Sequence, residues 1–98
     1  MKTLLTGASG FLGYYLKKEL REDLVTLGRS SSNTIICRLD HEVPDLPTVD
    51  LVVHNAGWAH RIPRNPEEES RFYQVNLFGT KNLLTGLEKS GIIPKAIV

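Results

Sequence analysis

Three glycines near the N-terminus are spaced in a way that suits the binding of phosphate. Gly7, Gly10 and Gly13 lie in the segment TGASGFLG, which occupies residues 6–13. Because glycine has no Cβ, it allows a tight turn and lets a bound group come close to the backbone. A helix that begins at this turn would also offer free N–H groups and a partial positive charge to phosphates. The segment therefore indicates a phosphate site, and a glycine-rich turn that binds nothing is the alternative.

Other residue types that often carry chemistry form no comparable group in this sequence. Cys37 is the only cysteine, so an intramolecular disulfide is excluded and a reducing, cytoplasmic setting is favoured. The histidines, His41, His54 and His60, lack the spacing of a metal-ligand cluster, and no metal site is predicted. The sequence also lacks the G-x-x-x-x-G-K-[ST] pattern of a P-loop, which argues against an ATPase of that class.

The elements that must position the glycine turn can be predicted from the apolar pattern. Short apolar stretches predict strands at residues 2–5, 24–28, 34–37, 50–54 and 95–98. Their apolar runs are continuous, which is typical of a parallel sheet that is buried on both faces. A second helix is predicted from about Pro66 to residue 90. The first helix, at residues 11–22, is expected to bury one face, made of Leu12, Tyr15, Leu16 and Leu20.

This alternation predicts an α/β fold, with a doubly wound parallel sheet of strand order 3-2-1-4 and the start of a fifth strand. Ligands of such sheets bind where the strand order reverses, which here is between strands one and four. Residues 7–13 follow strand one, and residues 55–58 follow strand four. Both turns are therefore expected at one crevice, and this convergence favours a binding site over an empty turn.

The composition describes a small unit without a strong charge bias. The chain has 98 residues, of which 41% are hydrophobic, and a formal net charge of +1. This balance gives no sign of a nucleic-acid surface. The start of the chain lacks the pattern of a signal peptide, and no apolar stretch is long enough to span a bilayer. We therefore expect one cytoplasmic domain, residues 1–98, without nucleic-acid or membrane partners.

Three segments together resemble the extended short-chain dehydrogenases/reductases, and among them the NAD-dependent epimerase/dehydratase family. Residues 6–13 resemble the family's TGxxGxxG turn, and residues 54–57 (HNAG) resemble its turn after strand four. Residues 76–84 (NLFGTKNLL) are similar to its N-x-x-G-T-x-N-L-L helix. The resemblance implies a Rossmann-like fold and a chain that forms the N-terminal, dinucleotide-binding portion of a longer architecture.

The resemblance also implies which residues contact the cofactor. It places the pyrophosphate and the adjoining ribose among Gly7, Ala8, Ser9, Gly10, Phe11 and Leu12. It places the other ribose, towards the nicotinamide, over Ala56, Gly57 and Trp58. Leu39 and Asp40 are candidates for the contact with adenine. Asn76 is assigned a supporting role beside the catalytic centre, and its alternative is a buried polar residue that bonds only within its helix.

One departure from the family bears on the choice of cofactor. NAD-preferring members usually carry an acid at the end of strand two, where this chain has Arg29 and Ser30. An arginine can pair with a 2′-phosphate through charge-assisted hydrogen bonds, and serine hydroxyls can assist. We therefore predict NADP or NAD as the cofactor, with NADP favoured. A solvated loop charge is the alternative for Arg29.

The main catalytic residues of the family have no counterpart in this sequence. The family uses a serine or threonine after strand five and a later Tyr-x-x-x-Lys pair, and only Tyr14 and Lys18 have that spacing here. The chain alone is therefore predicted to be inactive. The implied function is the dinucleotide-binding portion of an NAD(P)-dependent epimerase, dehydratase or reductase. A full-length form would act on a small molecule, with a nucleotide sugar as one candidate, and could be a homo-oligomer. A non-catalytic NAD(P)-sensing regulatory module is the alternative.

Overall fold

The chain folds around a parallel sheet. A computed structural model describes residues 1–20, 23–57 and 62–98. Within these ranges the strands are β1 (Thr3–Thr6), β2 (Leu24–Gly28), β3 (Ile35–Ile36), β4 (Leu51–His54) and β5 (Ala96–Ile97). Their spatial order is β3-β2-β1-β4-β5, and all neighbouring strands are parallel. The predicted α/β class, the Rossmann-like fold and the strand order are confirmed.

The third strand is shorter than predicted because side chains replace part of its backbone pairing. β3 contains only Ile35 and Ile36, whereas residues 34–37 were expected to be extended. Beside it, the Thr34 N–H donates to Thr26 Oγ1 at 3.0 Å, and the Thr26 N–H donates to Thr34 Oγ1 at 3.2 Å. Two threonine hydroxyls thus take the place of backbone carbonyls at the point where the ladder stops.

The α-helices found in the described ranges are α1 (Phe11–Glu19), α2 (Pro66–Tyr73) and α3 (Gly79–Lys89). α2 begins where we predicted, because the Glu68 N–H donates to Asn65 Oδ1 at 2.9 Å and Pro66 occupies the first turn. The predicted single helix is nevertheless interrupted, since a π-helical turn, Gln74–Phe78, joins α2 to α3. Such turns are frequent at functional sites. None of these helices is long and apolar enough to cross a membrane.

The hydrophobic core lies between the sheet and α3. β1 is buried along its whole length, and Leu4 on β1 and Val52 on β4 are fully shielded from solvent. Cys37 also belongs to the core and is 5% exposed. Burial, with smaller contributions from nearby acidic charges, raises the pKa of its thiol. The core cluster consists of Leu4, Val25, Leu27, Cys37, Leu39, Leu46, Val49, Val52, Leu83, Leu87 and Ile92.

Helix α1 differs from the sequence prediction in its length and in its buried face. It ends at Glu19, and residues 21–22 of the predicted helix lie outside the described residues. The predicted burial of Leu12 and Tyr15 is wrong, since they are 55% and 51% exposed, and Leu16 and Leu20 are half-buried. Gly13 is the buried residue of α1. Because the helix approaches the turn after β1 through its smallest residue, the flanking large side chains remain at the surface.

Candidate functional site

The turn after β1 and the turn after β4 lie side by side at the carboxyl edge of the sheet. The two strands are parallel neighbours, with Thr6 opposite His54, so the chain leaves both at the same level. The Ala56 N–H donates to Thr6 Oγ1 at 3.0 Å, and Asn55 Nδ2 donates to the Gly7 carbonyl at 3.2 Å. The predicted convergence of the two turns on one crevice is confirmed.

Tight packing of the first turn, on itself and on the turn after β4, explains two of its three glycines. Gly7 has a φ of +72°, and a Cβ on it would lie 2.7 Å from the Ala56 nitrogen. A Cβ on Gly13 would lie only 2.0 Å from the Gly7 carbonyl oxygen. By contrast, a Cβ on Gly10 would meet only that carbonyl oxygen, at an ordinary distance of 3.6 Å. Packing within the described chain does not require glycine at position 10, so its missing Cβ leaves space that a ligand can use.

Helix α1 begins at this turn without a side-chain cap. Gly10 is the N-cap residue, and its N–H donates to the Gly7 carbonyl at 3.2 Å. The first turn of α1 contains no acidic residue, so no side chain of that turn offsets the partial positive charge of the helix N-terminus. The N–H groups of a first helical turn have no partner inside the helix. This end of α1 is therefore chemically suited to a phosphate group.

A cavity of about 390 Å³ extends from this turn along the edge of the sheet. Its volume falls within the range of small-molecule sites. Ala8 and Ser30 are not part of its lining, and Trp58 lies outside the described residues, so their predicted contacts remain predictions. Of the residues predicted to bind a cofactor, those that line the cavity are Gly7, Ser9, Gly10, Phe11, Leu12, Arg29, Leu39, Asp40, Ala56 and Gly57.

The two residues after β2 that we predicted to bind the cofactor differ in their surroundings. Arg29 is exposed and lines the cavity. Ser30 Oγ lies 2.6 Å from Ser32 Oγ and accepts from the Ser32 N–H at 3.1 Å. The Ser30 hydroxyl is thus engaged within its own loop. The structure brings Arg29, rather than Ser30, to the cavity.

Side chains of the long helical segment hold the chain after β3, where Leu39 and Asp40 line the cavity. Asn82 Nδ2 donates to the Leu39 carbonyl at 2.6 Å, and Gln74 Nε2 donates to the Asp40 carbonyl. Leu39 is buried, whereas Asp40 Oδ2 lies 3.2 Å from His41 Nε2. The helix therefore holds this segment through its backbone carbonyls. Leu39 supplies an apolar wall, and Asp40 brings a carboxylate beside it.

Asn76 lies in the π-helical turn, behind the turn that follows β4. A Cβ on Gly57 would lie 2.8 Å from Asn76 Oδ1, which shows how closely the two turns approach. The Asn76 carbonyl accepts from Thr80 Oγ1 at 2.8 Å. Within the described part of the chain, Asn76 is not one of the residues that line the cavity. Its supporting role beside a catalytic centre stays a prediction.

His54 lines the cavity, although from the sequence we assigned it only to the end of a strand. Its Nδ1 lies 2.7 Å from Thr6 Oγ1, and its Nε2 lies 3.0 Å from Thr80 Oγ1. Burial lowers the pKa of His54, because the charged ring would lose its hydration. One sequence feature could have indicated this role: a histidine at the carboxyl end of a strand, next to a candidate binding turn. Other lining residues that we did not predict are Leu27, Gly28, Cys37, Asn55, Arg71, Val75 and Gly79.

Comparison with known proteins supplies the family. The sequence model of the NAD dependent epimerase/dehydratase family matches residues 3–97. The chain belongs to this family. It is 37% identical over 93 residues to GDP-6-deoxy-D-talose 4-dehydrogenase of Aggregatibacter actinomycetemcomitans, an alignment that covers 89% of this chain and 30% of that protein.

Solved structures of epimerase proteins share the fold. Human epimerase family protein SDR39U1 (isoform 2) with NADPH is 25% identical, with a TM-score of 0.79 over 99% of this chain and 35% of that chain. UDP-glucose-4-epimerase of Stenotrophomonas maltophila, with bound NAD and formylated UDP-arabinopyranose, shows the fold alone at 15% identity. Its TM-score is 0.71, over 94% of this chain and 34% of that chain. The chain thus spans about a third of the length of these relatives.

The one Tyr-x-x-x-Lys sequence of this epimerase/dehydratase chain lies away from the cavity. Tyr14 and Lys18 are both exposed on α1, and neither lines the cavity. Lys18 Nζ lies 4.5 Å from the centroid of the Tyr14 ring, which is the geometry of a surface cation–π contact. The structure therefore gives this pair no place beside a reacting group in the described cavity.

Proposed function

We propose that residues 1–98 form the dinucleotide-binding portion of an NAD(P)-dependent epimerase, dehydratase or reductase, with NADP(H) as the preferred ligand. The observation that carries the proposal is the meeting of two turns at the uncapped N-terminus of α1. Gly7 and Ala56 lie in contact there, and Gly10 leaves unfilled space beside them. A pyrophosphate binds at such a helix end because N–H groups and a partial positive charge face it.

The lining residues after β3 and after β2 suit the adenine ring and the adenosine ribose, respectively. Leu39 gives an apolar wall for the adenine ring, and Asp40 lies next to it as a hydrogen-bond acceptor. Arg29 lines the cavity after β2, in the region where an acid would favour the free ribose hydroxyls of NAD. A guanidinium group instead favours a 2′-phosphate. The NADPH in the 25% identical human relative supports this preference.

In a longer form, the substrate would be a small molecule that carries a hydroxyl or carbonyl group, and a nucleotide sugar is the leading candidate. The 37% identical relative is named as a GDP-6-deoxy-D-talose 4-dehydrogenase, which supports this class. The bound nicotinamide cofactor would supply hydride transfer. The residues described here would bind and orient it, and we expect the 98-residue chain to bind a dinucleotide without turnover.

Titration of the chain with NADP⁺ and with NAD⁺ tests the proposal. Wild-type protein is expected to bind both, with the lower Kd for NADP⁺. Arg29→Ala should weaken NADP⁺ binding about tenfold, which corresponds to the loss of a charge-assisted contact, and should leave NAD⁺ binding unchanged. Lys95→Ala is the matched control, because it removes an exposed positive charge that does not line the cavity.

Each result has a separate meaning. If neither dinucleotide binds to the folded wild-type chain, the proposed function is wrong. If the chain binds both dinucleotides and Arg29→Ala keeps the preference for NADP⁺, only the role of Arg29 is wrong. Reduction of a sugar carbonyl by the purified chain would contradict its proposed inactivity.

A further inference from the structure

A continuous chain of hydrogen bonds runs from the turn after β4, through β1 and β4, to the helical segment. The Ala56 N–H donates to Thr6 Oγ1 at 3.0 Å, and Thr6 Oγ1 lies 2.7 Å from His54 Nδ1. On the other side of the ring, His54 Nε2 lies 3.0 Å from Thr80 Oγ1. Thr80 Oγ1 donates in turn to the Asn76 carbonyl at 2.8 Å. The His54 ring therefore connects the turn after β4 with the π-helical turn.

The groups at the two ends of this series of hydrogen bonds determine where its protons lie. The Asn76 carbonyl can only accept, so the Thr80 proton is directed to it, and Thr80 Oγ1 must accept from His54 Nε2. The Ala56 N–H can only donate, so Thr6 Oγ1 accepts from it and keeps its own proton for another partner. Burial lowers the pKa of His54 and so favours the neutral ring, and its unprotonated Nδ1 is that partner.

We propose that His54 is a positioning residue that couples the two sides of the cavity through this one tautomer. Its Nδ1 holds the Ala56 turn by way of Thr6, and its Nε2 holds the π-helical turn by way of Thr80. The proposal goes beyond dinucleotide binding by the chain, and only its effect on affinity rests on that proposed function.

Burial around the ring makes these hydrogen bonds difficult to replace by hydrogen bonds to water. Thr6 is fully buried, so its hydroxyl has no access to water as a substitute partner. Each described buried polar side-chain atom has a hydrogen-bond partner. A break in this series of hydrogen bonds would leave a buried polar atom without a partner. The charged residues that line the same cavity are Arg29, Asp40 and Arg71. A second ring proton on His54 would force Thr6 Oγ1 to accept twice and would leave its own proton without the Nδ1 acceptor.

Nuclear magnetic resonance can test the coupling without a cofactor. Thr80→Val removes the hydroxyl at one end of the chain and is expected to shift the Ala56 amide proton resonance at the other end. Thr80→Ser keeps the hydroxyl and should keep the wild-type resonance. Thr85→Val is the matched control, since the Thr85 hydroxyl donates to the Lys81 carbonyl at 2.9 Å on the same helix but belongs to no such chain.

The ring itself gives a second readout, on the wild-type chain. Long-range ¹H–¹⁵N spectra of His54 are expected to show a protonated Nε2 and an unprotonated Nδ1. A proton on Nδ1, or an Ala56 amide that Thr80→Val does not move, would overturn the proposal. These measurements do not depend on ligand binding, so they decide the proposal even if the chain binds no dinucleotide.

Affinity gives the third readout. Thr80→Val is expected to raise the Kd for NADP⁺ about fivefold, the usual effect of one lost hydrogen bond, while Thr80→Ser and Thr85→Val bind like the wild type. Unchanged affinity in Thr80→Val, in a chain whose wild-type form binds NADP⁺, would overturn the link between this hydrogen-bond chain and the cavity. Absence of binding in the wild type would instead count against the proposed function.

Discussion

Gly10 and Gly13 belong to the same turn, but the structure gives them different tasks. A Cβ at position 13 would lie 2.0 Å from the Gly7 carbonyl oxygen, so Gly13→Ala must displace α1 from the turn. We expect this variant to lose about 1–3 kcal/mol of unfolding free energy in urea, as in other overpacked sites. Gly10→Ala should cost much less stability, because its Cβ has room, and should still weaken dinucleotide binding. Equal destabilisation by the two substitutions would show that Gly10 is needed for packing.

The His54 ring predicts how stability depends on pH. Its pKa is lowered in the folded chain, so over a pH range around and below its ordinary value of 6.5 the unfolded chain binds more protons than the folded one. The free energy of unfolding should therefore be highest above this range and should fall as the pH decreases through it. Urea unfolding at a series of pH values measures this slope. Replacement of the ring in His54→Gln should flatten it, and an unchanged slope would exclude His54 as its source.

At the scale of elements, the strands and the two turns could be predicted because local sequence determines them. The apolar runs of the central strands and the spacing of Gly7, Gly10 and Gly13 carry that information directly. The exposed face of α1 could not be predicted, because Leu12 and Tyr15 have the periodicity of a buried face whether or not anything covers them. The π-helical turn was also missed, since its extra residue depends on how the helix fits against the β4 turn. His54 entered the site only through its three-dimensional neighbours.

The start of α2 gives a test at the scale of a single helix. Asn65 Oδ1 accepts from the Glu68 N–H, and the Glu68 carboxylate accepts in return from the Arg64 N–H at 2.9 Å. Asn65→Ala should lower the unfolding free energy by about 1 kcal/mol, the usual effect of a lost N-cap. Asn65→Asp, which retains an acceptor oxygen, should preserve it. Equal losses in the two variants, measured by thermal or urea unfolding, would contradict the capping role.

At the scale of the whole molecule, several large apolar side chains are exposed on α1 and near the edge of the sheet. Phe11, Tyr14 and Tyr15 on α1 are all more than half exposed, and Ile97 lies on the edge strand β5. Exposed apolar surface and open sheet edges both promote association. We expect the isolated chain to self-associate at micromolar concentrations in sedimentation experiments.

A pair of variants on α1 can separate apolar contact from charge. Tyr15→Lys should weaken this association severalfold, because it replaces an exposed ring with a charged group. Glu19→Gln on the same helix changes the net charge by the same amount and keeps every apolar side chain. If both variants associate equally weakly, charge rather than the apolar face of α1 drives the process. A wild-type chain that stays monomeric across the concentration range would contradict the prediction.

Because the single cysteine is buried, the rate of its chemical modification can report how often this part of the fold opens. Cys37 belongs to the core, lines the cavity and is 5% exposed, so a thiol reagent reaches it only in molecules that have opened transiently. When reclosing is faster than modification, the labelling rate reports the fraction of time that this part of the chain spends open. A dinucleotide that binds only the closed form should slow labelling in proportion to its occupancy. The labelling rate of Cys37 can thus measure both transient opening and ligand binding in the same experiment.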